Sequence, residues 1–370
     1  MRTKPIYVAC CILMPLLFGA CTKQMKENPT EKLSVKSTIA AAASQDGLEL
    51  HKFLRDKGPA FERFTINLQE RPQVKTKSST IYTFTRNSLV YPNGSPVTGN
   101  VTISIKEIST PSNMIFADRQ TSTSTGEALV SYGEFFVSAQ QGGVELKLRP
   151  DSAVIVQVPA RQGELKRVPM WAGDTTITVS TAGFNYVNQF TTVSTQVSAN
   201  KGVDWQPVTS SSASFALFDG TTSTYNFRLD SLMQWRNCDA LANSTNPKTT
   251  VLVYFNTNYN PATGISYTGE EPSMLYFKPL GQNTIIKLYN TIFTPPAGFE
   301  GFLSYQNTIP VGLQGTFLAI SCINGVFYAE QKTVTIPAPA AGLDYVSFSF
   351  NPTAVSASTL VTLITNMNSL

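Results

Sequence analysis

The chain carries a single histidine, His51, and that limits acid–base chemistry at once. A Ser-His-Asp triad or a Cys-His pair would need that imidazole as its base. His51 lies in a short helical segment that ends at Lys57-Gly58-Pro59, which predicts a solvent-facing position. A zinc site built from His and Cys is equally poor, because His51, Cys238 and Cys322 are few and scattered. Neither a phosphate-cradling glycine loop nor a dinucleotide fingerprint is present, so no cofactor is expected. Carboxylates hold the remaining catalytic option, since glycoside hydrolysis needs only two acids at suitable separation. Glu270-Glu271 is an adjacent pair. Neighbours on an extended chain point to opposite sides, which favours a solvated loop. Asp239, within Trp235-Arg-Asn-Cys-Asp239, is the other acid of interest, and its plainer role is to stabilise a turn. Calcium would have Asp219, Asp230 and Asp239 as oxygen donors, without an Asp-x-Asp-x-Asp-Gly run to organise them. These residue patterns point to a non-enzymatic protein, with a carboxylate-dependent hydrolase as a distant alternative.

Binding chemistry is better represented. Trp171, Trp205 and Trp235 fall in or near apparent loops, and Trp171 and Trp205 are candidates for stacking on sugar rings. Burial for packing is the competing role of any tryptophan. Cys238 and Cys322 remain once the N-terminal cysteines are set aside. In an oxidising compartment they would form one disulfide, worth roughly 4 kcal/mol for so long a loop, or stay as two separate buried thiols.

The N-terminus supplies the clearest chemistry. Arg2 and Lys4 precede an apolar run from Ile6 to Phe18, then Gly19-Ala20 and Cys21. Charge, length and small-residue exit are those of a secretory signal peptide. A spanning helix needs about 20 apolar residues, and this run is shorter and holds Pro15. A cysteine after two small residues resembles a bacterial lipobox, whose thiol receives lipid and becomes the mature first residue. Plain secretion with cleavage nearby is the alternative. Lipidation at Cys21 would place the protein in the cell envelope, in the outer membrane by expectation. Removing residues 1–20 takes away two of 28 basic residues and none of the 24 acidic ones. Near-balance gives no case for nucleic acid or a polybasic membrane patch.

These residues need a scaffold, and its composition is that of a sheet protein. Only 14% of residues are charged, against about 25% in ordinary soluble chains, while β-branched and aromatic residues abound. Residues 21–45 read as a flexible tether. A short helix opens at Asp46 and Glu49 as a capping-box pair, with Leu50, Phe53 and Leu54 on one face. Val101, Ile103 and Ile105 alternate with polar residues, as do Phe135, Val137 and Ala139. Gln140-Gln141-Gly142-Gly143 predicts a hairpin returning through Val144, Leu146 and Leu148. Residues 46–160 form a first β-sandwich with that helix, and 161–352 a second β-rich domain. Asn324-Gly325 predicts a type I′ hairpin turn. Leu360, Leu363, Ile364 and Met367 mark a C-terminal amphipathic helix within 353–370, covering the protein's own sheet or docking a partner. The expected class is all-β: two β-sandwich-like domains with a helix at each end.

Two segments carry a resemblance. Val90-Tyr-Pro-Asn-Gly-Ser-Pro-Val-Thr-Gly-Asn-Val-Thr-Ile-Ser-Ile-Lys-Glu-Ile108, with Ser112–Ile115 and Gly133–Phe136, is similar to envelope lipoproteins of the Bacteroidetes type. Trp235–Asp239 resembles the Trp-x-Asn-Cys-Asp signature of the same family. The resemblance implies a β-sandwich distantly similar to that of ankyrins and netrin receptors, and no defined activity. It departs at Lys77-Ser78-Ser79, where related chains carry a glycine, and at Ala240-Leu241. Surface-exported members carry acids just after the lipidated cysteine, whereas Thr22-Lys-Gln-Met-Lys-Glu27 has more base than acid. The membrane face therefore stays open. The expected partners are the membrane, through the lipid, and an envelope protein or a glycan.

Overall fold

The computed structural model describes residues 45–70, 72–160, 165–174, 178–185, 189–196, 203–260, 271–289, 292–293 and 301–370. Cys21, the expected signal segment and nearly all of the expected tether lie outside them. The fold is all-β, with three helices among the described residues: α1 at residues 45–57, α2 at Pro111–Phe116 and α3 at Ala357–Asn366.

Strand Asn100–Ile108 shows how the first core is built. Val101, Ile103 and Ile105 are buried at every second position, and the residues between them are more exposed. It pairs with Glu62–Asn67 on one side and Leu129–Gln141 on the other. Its register sets Ile103 opposite Ala139 and Ile105 opposite Val137, so the inward rows of both strands fill one core. The sheet continues through Arg236–Leu241, Arg167–Asp174, Phe215–Asp219, Thr224–Leu229, Val154–Pro159, Ile81–Phe84 and Gln73–Lys75. Ile66 at one end and Val74 at the other meet in the same core, so the sheet doubles back into two layers. Arg167–Asp174 belongs to both layers, pairing with Phe215–Asp219 at its start and Arg236–Leu241 further along. Where the sheet's ends come together, Glu107 accepts the hydroxyls of Tyr82 (2.7 Å), Thr76 (3.1 Å) and Ser78.

This arrangement moves the expected boundary at 160/161. Val154–Pro159 pairs with Thr224–Leu229, and Leu129–Gln141 pairs with Arg236–Leu241. Strands from both sides of that boundary therefore complete one core, which a local composition break cannot reveal.

The second core lies between Lys248–Phe255 with its neighbours and the sheet containing Ser273–Pro279 and Gln314–Ile323. Those two strands are buried on both faces. Leu275, Phe277, Phe317 and Ala319 face the second core. Met274, Tyr276, Leu318 and Ile320 face a third cluster closed by Leu50 and Leu54 of α1, Met114 and Ile115 of α2, and Leu360 and Ile364 of α3. The terminal helix thus covers the protein's own sheet. Each such aliphatic side chain contributes about 1.5–3 kcal/mol by leaving water. Strand Thr353–Val355 precedes α3, and Ser356 caps it by accepting the Thr359 amide at 3.1 Å.

Both predicted tight turns form. Asn324 and Gly325 have φ of 51° and 74°, and Ile323 pairs with Val326. Gly142 and Gly143 join Gln141 to Val144, yet the return strand is short and Val144 is exposed.

Candidate functional site

Helix α1 positions the one histidine. Asp46, Leu50, His51 and Leu54 share its buried face, so His51 points inward, contrary to the solvent-facing expectation. The helix packs broadly onto the sheet, and its inner stripe is wider than Leu50, Phe53 and Leu54. Phe53 lies at its margin, 4.7 Å from the Phe327 ring. His51 Nε2 accepts the backbone N–H of Glu271 at 3.0 Å.

Glu271 is likewise not in a solvated loop; Glu270 lies outside the described residues. Its Oε2 is 2.6 Å from Lys287 Nζ. That ammonium is fully buried and also contacts Asp118 Oδ1 and Oδ2 at 3.0 and 3.1 Å. Tyr276 donates its hydroxyl to Asp118 Oδ1 at 2.9 Å. Burial alone would raise the Asp118 carboxyl, but the Lys287 ammonium, with His51 and Arg119, outweighs it and holds Asp118 below the usual aspartate range. Burial also opposes the Lys287 charge, and Asp118 with Glu271 outweighs it, leaving Lys287 raised.

His51, Asp118 and Glu271 place ligand atoms within 4.8 Å of one another, a spacing that suits a metal. In this arrangement the ammonium of Lys287 touches both carboxylates, and His51 Nε2 is engaged by an amide. The group is an internal ion-pair cluster that ties α1, the second residue after α2 and two strands together. Lys287 reads in the sequence as a position of the strand Ile285–Tyr289, and neither it nor Asp118 stands out as a site residue. The available signal was a lysine inside the apolar run Ile285–Tyr289.

A second tie lies one turn earlier on α1. The Asp46 carboxylate accepts the amides of Asn324 and Gly325 at 3.0 Å each and Asn260 Nδ2 at 3.1 Å. Asp46 therefore braces the type I′ turn rather than starting a capping box. Cys322 Sγ lies 3.9 Å from Asp46 Oδ1. Burial, with Asp46 and Glu49 nearby, pushes that thiol up to about 12. Cys238 sits in the first core and Cys322 beneath the helices, both as free buried thiols. The disulfide alternative is thus replaced by its competitor, because the two strands belong to different cores.

Trp235–Asp239 occupies the centre of the first sheet. A bulge lies between Asn237 and Asp239 opposite Leu129–Gln141. Cys238 enters the first core, while Asp239 Oδ2 accepts Asn237 Nδ2 at 2.5 Å and Oδ1 accepts the Tyr132 amide at 3.3 Å. Asp239 stabilises a strand irregularity, not a turn. Burial raises its carboxyl to about 7, against the lowering effect of bonds from Ser131, Asn237 and Tyr132. Glu134, on the paired strand, is wholly buried, and neither carboxylate oxygen has a hydrogen-bond partner among the described residues. Burial, reinforced by Asp239, pushes it well above the usual glutamate range, with Arg119 opposing.

The tryptophans are structural. Trp205 is fully buried and donates Nε1–H to Gln120 O at 2.8 Å; Trp171 is buried and donates to Asp239 O at 2.8 Å. Neither presents a face for a sugar, which corrects the stacking assignment. Large aromatic area in a sheet core with a satisfied N–H is the lower-energy placement. Trp235 is half-buried, with the Arg119 guanidinium 5.0 Å from its ring. The three aspartates considered for calcium serve separate local roles: Asp219 accepts the Thr221 amide at 2.8 Å, Asp230 pairs with Arg236 at 2.6 Å, and Asp239 is buried.

No family model matches the chain, and no curated protein or solved structure matches it.

Proposed function

We propose that this chain is a membrane-tethered envelope lipoprotein whose β body serves binding or assembly rather than catalysis. The observation that carries the reading is the N-terminal pattern: Arg2 and Lys4, the apolar run Ile6–Phe18, Gly19-Ala20, and Cys21. Lipid on Cys21 would supply about 0.8 kcal/mol per buried methylene, and more than one chain makes attachment stable. The build of α1 suits such a role. It is the first described element after the tether, and a load on the tether would reach a helix fixed by Leu50, Leu54, Asp46 and His51. Anchoring would therefore act on a helix that is packed and hydrogen-bonded into the body.

The deciding experiment is fractionation of cells expressing the chain with Cys21→Ser. The variant should leave the membrane fraction, and the wild type should carry a lipid-modified N-terminal cysteine by mass spectrometry. Membrane retention of the variant, or an unmodified wild-type N-terminus, overturns the reading. Crosslinking in intact cells should then capture a specific envelope partner.

A further inference from the structure

A cavity of about 270 Å³ opens where the ends of the first sheet approach each other. That is far more than the roughly 10–15 Å³ one water requires. Phe135 and Val158 supply apolar lining, and Ser78, Glu107 and Tyr132 supply polar lining. Backbone geometry keeps the space open at Gly133. Its φ is +141°, and a Cβ there would come within 2.8 Å of the Phe135 ring.

Among the described residues, Glu107 is the only charged one lining this cavity. Its carboxylate is fixed by hydroxyls alone: Tyr82 at 2.7 Å on Oε1, Ser78 on Oε2, and Thr76 at 3.1 and 3.2 Å, shared between the two oxygens. Among the described residues no lysine or arginine forms an ion pair with it. Three neutral donors on about four lone-pair sites leave one site. Burial and the Glu107 charge raise the Tyr82 hydroxyl well above its ordinary range, so Tyr82 stays a donor. The polar part of the lining therefore offers a carboxylate acceptor, and the rest includes apolar and aromatic side chains. That pairing fits a cation with a hydrocarbon body, which gains an ion pair at its head and burial of its body.

We propose that this cavity binds a small aliphatic ammonium compound, its head on Glu107 and its body against Phe135 and Val158. The site is independent of the anchor, since Cys21→Ser leaves it intact.

The test is calorimetric titration of the full chain in a non-ionic detergent with n-butylammonium and with 1-butanol, a neutral probe of similar length. n-Butylammonium should bind at least tenfold more tightly than 1-butanol, and Glu107→Gln should remove most of that difference. Val158→Phe fills the cavity from its apolar lining and leaves the hydroxyl bonds of Glu107 in place. It should abolish binding of both probes, which keeps the proposal testable if Glu107→Gln fails to fold. Equal affinity for the two probes, no binding of either, or n-butylammonium binding unchanged in either folded variant overturns it.

Discussion

His51 Nε2 accepts the backbone N–H of Glu271 at 3.0 Å, joining α1 to the start of a strand 220 residues away. An amide buried without its acceptor costs about 1–3 kcal/mol. His51→Ala should therefore destabilise the protein by about that much plus the lost packing of the ring. His51→Gln, whose side-chain carbonyl can accept the same amide, should recover part of it. Urea unfolding of the three proteins gives the comparison, and equal midpoints for wild type and His51→Ala would show that the contact contributes nothing.

Lys287 is the more demanding member of the same cluster. Removing its ammonium leaves Asp118 and Glu271 facing each other in the interior, and breaking a buried pair costs about 3–5 kcal/mol. Lys287→Met should lower Tm sharply at pH 7. Less should be lost near pH 4, where protonation of the acids relieves their repulsion. The variant also frees the space among His51, Asp118 and Glu271, whose ligand atoms lie within 4.8 Å of one another. The Glu271 amide still occupies His51 Nε2 in that variant, so added Zn²⁺ should leave the Tm of both proteins unchanged. A variant as stable as the wild type would remove the ion-pair reading.

Local signals and long-range ones were unequally legible. Alternation at Val101, Ile103 and Ile105 and the turn at Asn324-Gly325 depend on a few neighbouring residues, and the structure bears both out. Domain limits depend on which strands pair, and Val154–Pro159 pairs across the expected boundary. His51 misled because a lone polar residue beside a helix end is read as solvated; its partners Glu271, Asp118 and Lys287 come from three distant segments. Trp171 and Trp205 misled for the opposite reason, since their flanking residues look like loops while pairing places them in sheet cores. Glu134 left a trace in Gly133-Glu-Phe-Phe136, a single charge inside an apolar strand.

That charge sets a pH dependence. Glu134 is held well above the usual glutamate range and Asp239 is raised to about 7, so the folded state binds both protons more tightly than the unfolded chain. Their contribution to stability is complete below the ordinary carboxyl range, near pH 4. It is lost as pH rises toward the folded values, through about 7 for Asp239. Glu134→Gln cannot ionise and should melt close to wild type at pH 4 and about 3 °C above it at pH 8. Calorimetry at the two pH values decides; the same Tm difference at both would mean Glu134 is not held protonated.

Cys238 and Cys322 offer a chemical check on the two-core arrangement. Both are buried free thiols, and Cys322 is pushed up to about 12 by burial and by Asp46 and Glu49. Thiolate is the reactive form, so iodoacetamide at pH 8 should modify neither residue in the folded protein. After unfolding in guanidinium without reductant, both should be carbamidomethylated. Peptide mass spectrometry reads the two sites separately. A requirement for reductant would mean a bridge between strands that lie in different cores, and the packing of Cys238 against Val137 and Met170 would then have to be rebuilt. Modification of folded Cys322 alone would instead mean that α1 lifts from the Asn324-Gly325 turn, releasing the Asp46 contacts that close over it.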